Sequence, residues 1–310
     1  SQNSELDDLV IMRGDGSPTY NFCVVVDDLD MAITHVIRGD DHVNNTPRQI
    51  NIFQALGATA PKFAHMPMIL GADGQRLSKR HGAVSVMQFK DDGYLPEALL
   101  NYLVRLGWSH GDQEIFSREE MISLFDIADT NRAAASFDFE KLQWLNQHYI
   151  KESAAQPMGA RLSEQLHAIG VPTADGPDVA EVFDAQRERA KTLVEMAEKS
   201  AYFFADFDDY EGDSAKKHLR PVVLEPMRAL RGRLQALEDW GKEAIHSEIV
   251  ATAEAADIKL GKLGQPLRVA VCGTGVSPPF DITLALIGKA RTLARLDRAI
   301  AFIEARAAAG

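Results

Sequence analysis

The sequence predicts an α/β region that is followed by a long, all-helical region. Two short apolar runs with β-branched residues come before a helix signal and a third such run within residues 1–70, as in alternating strands and helices. After Gly82 helical periodicity dominates. A length of 310 residues leaves room for about two domains.

The first two apolar runs are predicted to be β-strands. They cover residues 19–26 and 33–37, and each ends in charged residues or glycine. Unbroken apolar runs of this kind are typical of strands in a sheet that is covered on both faces.

A helix is predicted between the second run and a third strand within residues 62–70. Asn45 or Thr46 can cap this helix, Pro47 suits its first turn, and Gly57 ends it. Strand, helix and strand in this order predict a crossover between two parallel strands.

From Gly82 onward the predicted elements are helices. Pro96 begins an apolar-periodic helix that Gly107 ends, and Ser117 with Glu120 has the form of a capping box. After a linker candidate at 151–159, further helices are predicted at about 158–169, 178–207, 215–240, 244–257 and 281–308.

The composition excludes several classes of protein. No apolar run approaches the roughly 18 residues of a membrane helix, and residues 1–5 lack the features of a signal peptide. Cys23 and Cys272 are too few for a disulfide framework or a four-thiolate zinc site, which indicates a reducing compartment. We therefore expect a cytoplasmic protein in which both cysteines act as small buried hydrophobes. The acidic start without Met is typical of the middle of a longer chain.

Net charge alone argues against a nucleic-acid partner, because 33 basic residues face 45 acidic ones and the net charge is -12. The average hides two basic regions. Residues 31–81 carry six Lys and Arg against three acidic residues, and residues 216–310 carry fifteen against ten. A polyanion could therefore bind at either region.

The strongest local signal of chemistry is the segment GADGQRLSKRHG at 71–82. Glycines at both ends free the backbone, and Arg76, Ser78, Lys79 and Arg80 lie within five positions, as a clamp on a polyphosphate requires. A solvated surface turn is the alternative that the spacing leaves open. The P-loop pattern and the dinucleotide glycine fingerprint are absent from the sequence.

A second cluster, RGDDH, directly follows the second predicted strand. Open α/β sheets place their ligands beyond such strand ends. Arg38 could pair bidentately with a carboxylate. Two alternatives remain open, a divalent metal site formed by Asp40, Asp41 and His42, and a plain polar turn.

Taken together, four motifs strongly resemble those of bacterial glutamyl-tRNA synthetases, a family of class I aminoacyl-tRNA synthetases. They are PTYNF at 18–22, VIRGDDH at 36–42, NTPRQ at 45–49 and RLSKR at 76–80. With LGWSHGD at 106–112 the resemblance covers nearly all of 5–150, and it extends more loosely over 151–310.

The resemblance implies three regions. Residues 1–75 would form the second half of a Rossmann-like class I catalytic domain, and 76–150 would form the signature loop and a mostly helical stem-contact region. Residues 151–310 would form an all-α anticodon-binding domain. The HIGH-like signature of the family does not occur in 1–310, so we expect the first part of the catalytic domain to lie upstream.

The implied activity is that of a glutamate–tRNA ligase, which activates L-glutamate with ATP and transfers it to the 3′ end of tRNA(Glu). Lys79 would be the catalytic residue at the ATP phosphates. ATP would lie against Asp41, Ile69, Arg76, Leu77, Ser78, Lys79 and Arg80, and glutamate against Tyr20, Asn21 and Arg38. Asp40 stands where the family commonly has Glu, one methylene longer. Lys79 and Arg38 are expected to face one cleft.

The implied cofactor is ATP with Mg²⁺, without an organic cofactor and without metal ligands in this chain. The implied partners are glutamate and tRNA(Glu), with tRNA(Gln) left open, and we expect a monomer that binds no membrane. The basic region 216–310 predicts tRNA contacts through Arg228, Arg231 and Arg233, which lie at helical spacing. Helix-surface charges without a partner are the alternative for each arginine.

Three rival functions share some of these features. A truncated relative of the family transfers glutamate to a modified tRNA base but lacks the helical C-terminal domain, whereas about 160 residues follow Lys151 here. Glutaminyl-tRNA synthetase builds its anticodon region from β-barrels, and 151–310 shows little strand periodicity. A catalytically silent tRNA-binding module is the rival from another class.

Overall fold

The computed structural model describes residues 2–82 and 85–308. They divide into two compact units: the first is formed by the described residues of 1–85 and 99–142, and the second by the described residues of 86–98 and 143–310. Among the described residues, none of the helices combines the length and hydropathy that crossing a bilayer requires. The expected three-part division at residues 75 and 150 stays a prediction.

The secondary structure of the described residues is mostly helical. The strands are β1 His35–Gly39, β2 Lys62–Met66, β3 Ile69–Leu70 and β4 Ala135–Ser136. The helices are α1 Tyr20–Asp30, α2 Thr46–Ala55, α3 Val86–Asp91, α4 Pro96–Gly107, α5 Arg118–Leu124, α6 Phe139–Glu152, α7 Ala155–Ala168, α8 Val179–Gln186, α9 Leu193–Phe204, α10 Gly212–His218, α11 Leu224–Ala236, α12 Lys242–Ala255, α13 Leu260–Cys272, α14 Phe280–Ile287 and α15 Lys289–Ala308. Short 3₁₀ turns cover Asn3–Glu5, Asp40–Asn45, Lys79–His81, Ile127–Asp129 and Pro221–Val223.

The predicted parallel crossover is confirmed in the first unit. β1 and β2 pair in parallel, from His35 opposite Lys62 to Gly39 opposite Met66, and α2 connects them. β3 pairs in parallel with β4. The expected cover on both faces is not seen in the described residues, because Ile37 in β1 remains 56% exposed.

The prediction of a strand over 19–26 is wrong, since this segment begins helix α1. Three consecutive valines favoured a strand, but Phe22, Val25, Val26 and Leu29 recur at the spacing of one helix face. Val25 is fully buried on that face. Short apolar runs fit both periods, and here packing selects the helix.

The predicted helices α4 and α5 are confirmed, with α4 running from Pro96 to Gly107. The capping box of α5 forms as expected. The Glu120 N–H donates to Ser117 Oγ at 3.1 Å, and the Ser117 N–H donates to Glu120 Oε2 at 2.7 Å. Each bond satisfies a backbone donor that the first helical turn leaves without a partner.

The linker expected at 151–159 is wrong, because only Ser153 and Ala154 separate α6 from α7. Gly159 lies inside α7, and a Cβ there would come within 2.8 Å of the Ala180 nitrogen of α8. The glycine therefore permits a close helix contact where it had suggested a break.

The second unit is all-helical in its described residues, as predicted. The helices expected at 178–207, 215–240 and 281–308 are each divided in two. Helix α13 was not expected at all, because glycines and Pro266 interrupt its sequence pattern. Its Leu263 and Leu267 are fully buried in the main core of this unit. Tertiary packing therefore outweighs a low helix propensity.

The two cysteines are free thiols. Cys272 is buried at the end of α13, as expected, and burial raises the pKa of its thiol to about 12. Cys23 in α1 is only partly buried.

Candidate functional site

Arg38 is the centre of a polar network at the end of β1. Its Nη2 donates to Thr46 Oγ1 and to Gln49 Oε1, each at 2.8 Å, and its Nε lies 3.5 Å from His65 Nε2. The guanidinium also stacks over the Phe63 ring, 5.4 Å from its centroid. These contacts come from α2 and β2, so the crossover itself fixes the direction of the guanidinium. A guanidinium held in this way is suited to bind a carboxylate.

Neither expected capping residue caps helix α2 with its side chain. Thr46 Oγ1 instead accepts from Arg38 and lies 2.9 Å from His65 Nε2, and Asn45 Nδ2 lies 3.2 Å from His42 Nδ1. Side chains diverted from a local structural role are typical of functional sites.

Asn21 joins this network through Gln49, a residue of α2 that is only 2% exposed. Gln49 Nε2 donates to Asn21 Oδ1 at 2.9 Å while its Oε1 accepts from Arg38. Tyr20, one residue earlier, places its hydroxyl 3.5 Å from His42 Nδ1 and is 54% exposed. The structure thus brings together the three residues expected to bind glutamate, although α1 was expected to be a strand.

His65 is the partly buried neighbour of Arg38 and Thr46 in this network. Burial lowers the pKa of this imidazole, and the positive charge of Arg38 lowers it further. An unprotonated Nε2 can accept the hydrogen of the Thr46 hydroxyl, whose oxygen then accepts from Arg38.

Asp41 connects this network to the basic segment 71–82. It lies in the 3₁₀ turn that follows β1, and its Oδ2 is 3.7 Å from Arg76 Nη1. Both side chains are exposed, at 41% and 71%, so the pair can open to admit a ligand. Its Oδ1 lies 2.5 Å from the position of a Cβ on Gly39, so a larger residue at the end of the strand would make the Asp41 side chain move.

The basic segment folds back on β3. The Leu77 N–H donates to Ile69 O at 2.9 Å, which places these two expected ATP neighbours side by side. Gly74 turns the chain at φ +74°. A Cβ on Gly71 would lie 2.6 Å from the His81 ring, so a glycine is needed for this close approach.

His81 and Asp73 fasten the second half of the segment. The Ser78 N–H donates to His81 Nδ1 at 3.0 Å, so Nε2 carries the hydrogen and donates to Asp73 Oδ1 at 3.0 Å. Arg80 Nη2 contacts the other oxygen of Asp73 at 3.2 Å. The backbone N–H of Gln75 and the His81 ring hold the pKa of Asp73 below its usual range.

Lys79 differs from the other cations of the segment. Its side chain is exposed, and within 2–82 and 85–308 no carboxylate lies within 4.0 Å of its ammonium. Arg76 and Arg80, by contrast, both have acidic partners. The ammonium of Lys79 is therefore available to an anionic ligand.

The metal alternative at Asp40, Asp41 and His42 finds no support in the geometry. Across the described part of the chain, no group of three His, Cys, Asp or Glu side chains could hold a metal ion together. Asp41 is instead paired with Arg76, as described above.

The three arginines expected to contact tRNA lie on α11 in the second unit, and each has an acidic partner. Arg231 is bidentate to Asp297, with distances of 2.7 and 2.9 Å. Arg228 contacts Glu225 and Glu304, each at 2.5 Å, and Arg233 contacts Glu248 at 3.3 Å. Hydrogen bonds from Arg231 lower the pKa of Asp297.

Sequence reasoning missed several residues of this site: Thr46, Gln49, His65, Asp73 and His81. Thr46 and Gln49 lie three residues apart in α2 and therefore share one face of the helix, which is a signal that could have been used. His65 is brought in by strand pairing, since it lies opposite Arg38 in the β1–β2 register.

Most of the chain matches known protein families and a known relative. Residues 1–144 match the family "tRNA synthetases class I (E and Q), catalytic domain", and residues 148–300 match an "Anticodon binding domain" family. The chain is 61% identical over 305 residues to Glutamate--tRNA ligase 1 of Nitrosococcus oceani, covering 98% of this chain and 65% of that protein.

Two solved structures are also similar. One is a glutamate tRNA ligase from Elizabethkingia meningosepticum in complex with its amino acid, with a TM-score of 0.81 and 31% identity over 97% of this chain and 63% of that one. The other is a glutamate-tRNA synthetase from Elizabethkingia anophelis, with a TM-score of 0.76 and 31% identity over 96% of this chain and 62% of that one. The chain therefore spans somewhat less than two thirds of the length of these relatives.

Proposed function

Because the chain belongs to the E and Q group of the class I tRNA synthetases, we propose that it acts in a glutamate–tRNA ligase. The substrates would be L-glutamate, ATP and tRNA(Glu). The observation that carries the proposal is the continuous polar network from Asn21 through Gln49 to Arg38. Next to it, Asp41, which closely follows Arg38 in the chain, pairs with Arg76 of the basic segment.

Arg38, Asn21 and Tyr20 would bind the amino acid. The Arg38 guanidinium is fixed by Thr46 and Gln49 and can pair with a substrate carboxylate. Arginine suits this role better than lysine, because its planar group matches the two oxygens of a carboxylate.

The first step joins glutamate to AMP. An oxygen of the glutamate α-carboxylate attacks the α-phosphorus of ATP, the bond to the bridging oxygen breaks, and pyrophosphate leaves. In the second step a terminal ribose hydroxyl of the tRNA attacks the activated carbonyl, the bond between that carbon and the phosphate oxygen breaks, and the hydroxyl proton passes to an oxygen of the departing AMP. Neither step requires a protein nucleophile, because the substrate carboxylate is the nucleophile in the first step and the ribose hydroxyl in the second. The protein would contribute positioning and charge stabilisation to both.

Lys79 would stabilise the charge that develops on the leaving pyrophosphate. Its ammonium has no acidic partner in the described part of the chain, whereas Asp73 already holds Arg80. Arg76, Leu77, Ser78 and Ile69 would line the nucleotide with Asp41. Mg²⁺ would enter with ATP and be held mainly by phosphate oxygens, as Mg²⁺ is in many nucleotide sites.

The helical second unit would bind the anticodon arm of the tRNA. The match of residues 148–300 to an anticodon-binding family supports this role. Arg228, Arg231 and Arg233 are candidates for phosphate contacts, but each would first have to exchange its acidic partner for RNA. We further propose that the protein is a cytoplasmic monomer. Light scattering after gel filtration would measure its mass.

Charging of tRNA with labelled glutamate by the complete gene product tests the function. We expect charging of tRNA(Glu) and ATP–pyrophosphate exchange that depends on glutamate. tRNA(Gln) is measured in parallel to decide which tRNAs are substrates. Binding of tRNA without exchange or charging would favour a silent RNA-binding module and would overturn the proposal.

A further inference from the structure

Two helices of the second unit bring basic segments together. The Glu211 N–H, just before α10, donates to Gly273 O at the end of α13 at 2.8 Å. Ala215 and Leu219 then pack with Val269 in one buried cluster. The C-terminal end of α10 therefore lies along α13, toward the start of that helix.

This packing creates what we call the basic surface, which consists of Lys216, Lys217, Arg220, Lys259, Lys262 and Arg268. Its two segments, 214–224 and 258–280, contain no Asp or Glu. Glu211 accepts from Ser214 and Thr274 at the end where α10 begins, so the positive charge is concentrated at the other end, around His218, where Lys217, Lys262 and Arg268 act together.

Five of these six cations have no acidic partner. Lys216, Lys217, Arg220, Lys259 and Lys262 are exposed, and in 2–82 and 85–308 none has a carboxylate within 4.0 Å. Arg268 is partly buried and donates to Ser277 Oγ at 2.8 Å. The arginines of α11 differ in this respect, since carboxylates neutralise all three.

The lowered pKa of His218 reflects the positive charges of this surface. Burial lowers the pKa of its imidazole, and the charges of Lys217, Arg268 and Lys262 lower it further. Lys262 also lies in the first turn of α13, where the positive end of the helix dipole repels a cation. This arrangement of like charges costs free energy, which a bound polyanion would offset.

We propose that the basic surface binds the phosphate backbone of RNA without reading its bases. The inference rests on the proposed function, which supplies tRNA as the RNA. Exposed lysines are mobile point charges that contact phosphates and release counterions. Contacts to phosphates position an RNA but carry no information about its sequence. The surface therefore contributes affinity for any tRNA, and specificity arises elsewhere.

The test is a charge reversal of Lys217 and Lys262 in the complete gene product. For K217E/K262E we expect the Kd for tRNA(Glu) to rise about tenfold or more at low salt, and the slope of log Kd against log salt to fall by about two. The same change is expected for a non-cognate tRNA, because phosphates are common to both. Fluorescence anisotropy over a salt series measures both quantities.

A matched control changes the same charge elsewhere in the second unit. Lys90 and Lys242 are exposed and lie outside the basic surface, and K90E/K242E should leave the salt slope unchanged. The neutral pair K217Q/K262Q should give a smaller loss of affinity than the reversal, and thermal melting verifies that each variant is folded.

If K217E/K262E and K90E/K242E lose the same amount of tRNA affinity, the inference is overturned, because the change in net charge alone would then explain both losses. Binding of polyglutamate is measured on the same proteins. If K217E/K262E binds tRNA as the wild type does but no longer binds polyglutamate, the inference is also overturned, in favour of an acidic protein partner. If the wild-type protein charges tRNA normally while K217E/K262E binds it as before, only this inference fails. If the wild-type protein does not charge tRNA, the proposed function fails, and the affinity measurements still decide whether the surface binds RNA.

Discussion

Gln49 acts as a bridge between two residues that the sequence places far apart. With 2% of its surface exposed, its amide accepts from Arg38 at 2.8 Å and donates to Asn21 at 2.9 Å. Both polar ends of this amide are therefore used inside the protein. A buried amide with both ends satisfied fixes the orientation of its two neighbours.

Replacing Gln49 should weaken the binding of glutamate more than it slows the chemical step. In Gln49→Leu the Arg38 guanidinium loses one of its two close acceptors, and we expect the KM for glutamate to rise about tenfold or more. Gln49→Glu should raise KM as well, because a carboxylate at this position competes with the substrate for Arg38. Steady-state kinetics measure both effects, and an unchanged KM in both variants would contradict the role.

His65 makes the same network sensitive to acid. Its pKa in the folded protein is lowered below the ordinary value near 6.5, so the unfolded state binds more protons as pH falls. Stability is therefore fully present above about 6.5 and decreases as pH falls from there through the lower pKa of the folded protein. Protonated His65 would also repel Arg38.

We consequently expect the KM for glutamate to rise as the pH falls through the lowered pKa of His65, which lies below the ordinary value near 6.5. His65→Gln keeps an acceptor for the Thr46 hydroxyl but does not titrate, so its KM should stay flat over the same pH range. Parallel curves for the two proteins would assign the pH dependence to another group.

At the scale of elements, the segment 71–82 combines a fixed frame with one cation, Lys79, that has no carboxylate partner among the described residues. His81 and Asp73 fasten the frame, and Asp73 also binds Arg80. Lys79 stands between the fastened residues Ser78 and Arg80 with no carboxylate near it in the described residues. Adjacent cations of one loop are therefore expected to play different roles.

Lys79→Gln should lower kcat about 10²- to 10³-fold, the effect of removing one preorganised group that stabilises developing charge. Arg80→Gln is the matched control, because it also removes a single positive charge, and it should lower kcat less than tenfold. ATP–pyrophosphate exchange with saturating glutamate measures both. Equal losses would mean that the loop contributes only general positive charge.

The order of elements could be predicted from the sequence wherever start and stop signals agree with periodicity. α2, α4 and α5 have such signals and are predicted correctly, while the β-branched residues of α1 predict a strand and hide a helical spacing. α13 was missed because its proline and glycines oppose helix formation in isolation. Its buried leucines show that contacts distant in sequence decide the outcome.

The candidate site was predictable in its charged residues and less so in the groups that hold them. Asp41 and Arg76, which the motifs singled out, lie 3.7 Å apart, and Arg38 is held by Gln49, while their roles toward substrates stay predictions. His65 reaches Arg38 through strand register, and His81 reaches Asp73 through a turn. Such partners depend on the folded chain, and a single sequence does not display them.

At the scale of the whole molecule, two units have separate buried cores. Trp108, Phe116 and Met121 pack together in the first, and a larger cluster that includes Phe203 and Leu267 fills the second. Proteins with more than one domain often unfold in more than one step.

Core truncation should therefore affect one unfolding transition at a time. Phe203→Ala removes a fully buried ring from the second unit, and Phe116→Ala removes one from the first. We expect each to reduce the free energy of unfolding of its own unit by about 3–5 kcal/mol. Differential scanning calorimetry should show a different transition shifted in each variant, and a single shared transition would contradict the separation.

The basic surface has a practical consequence for anyone who purifies this protein. Its overall charge of -12 retains it on a quaternary-amine resin, while Lys216, Lys217 and their neighbours allow it to adhere to heparin as well. Nucleic acid from the cell extract would occupy the same lysines and elute with it from the first column. A high-salt heparin step should separate the protein from the nucleic acid. Ultraviolet spectra of the pool before and after that step would show how much nucleic acid was removed.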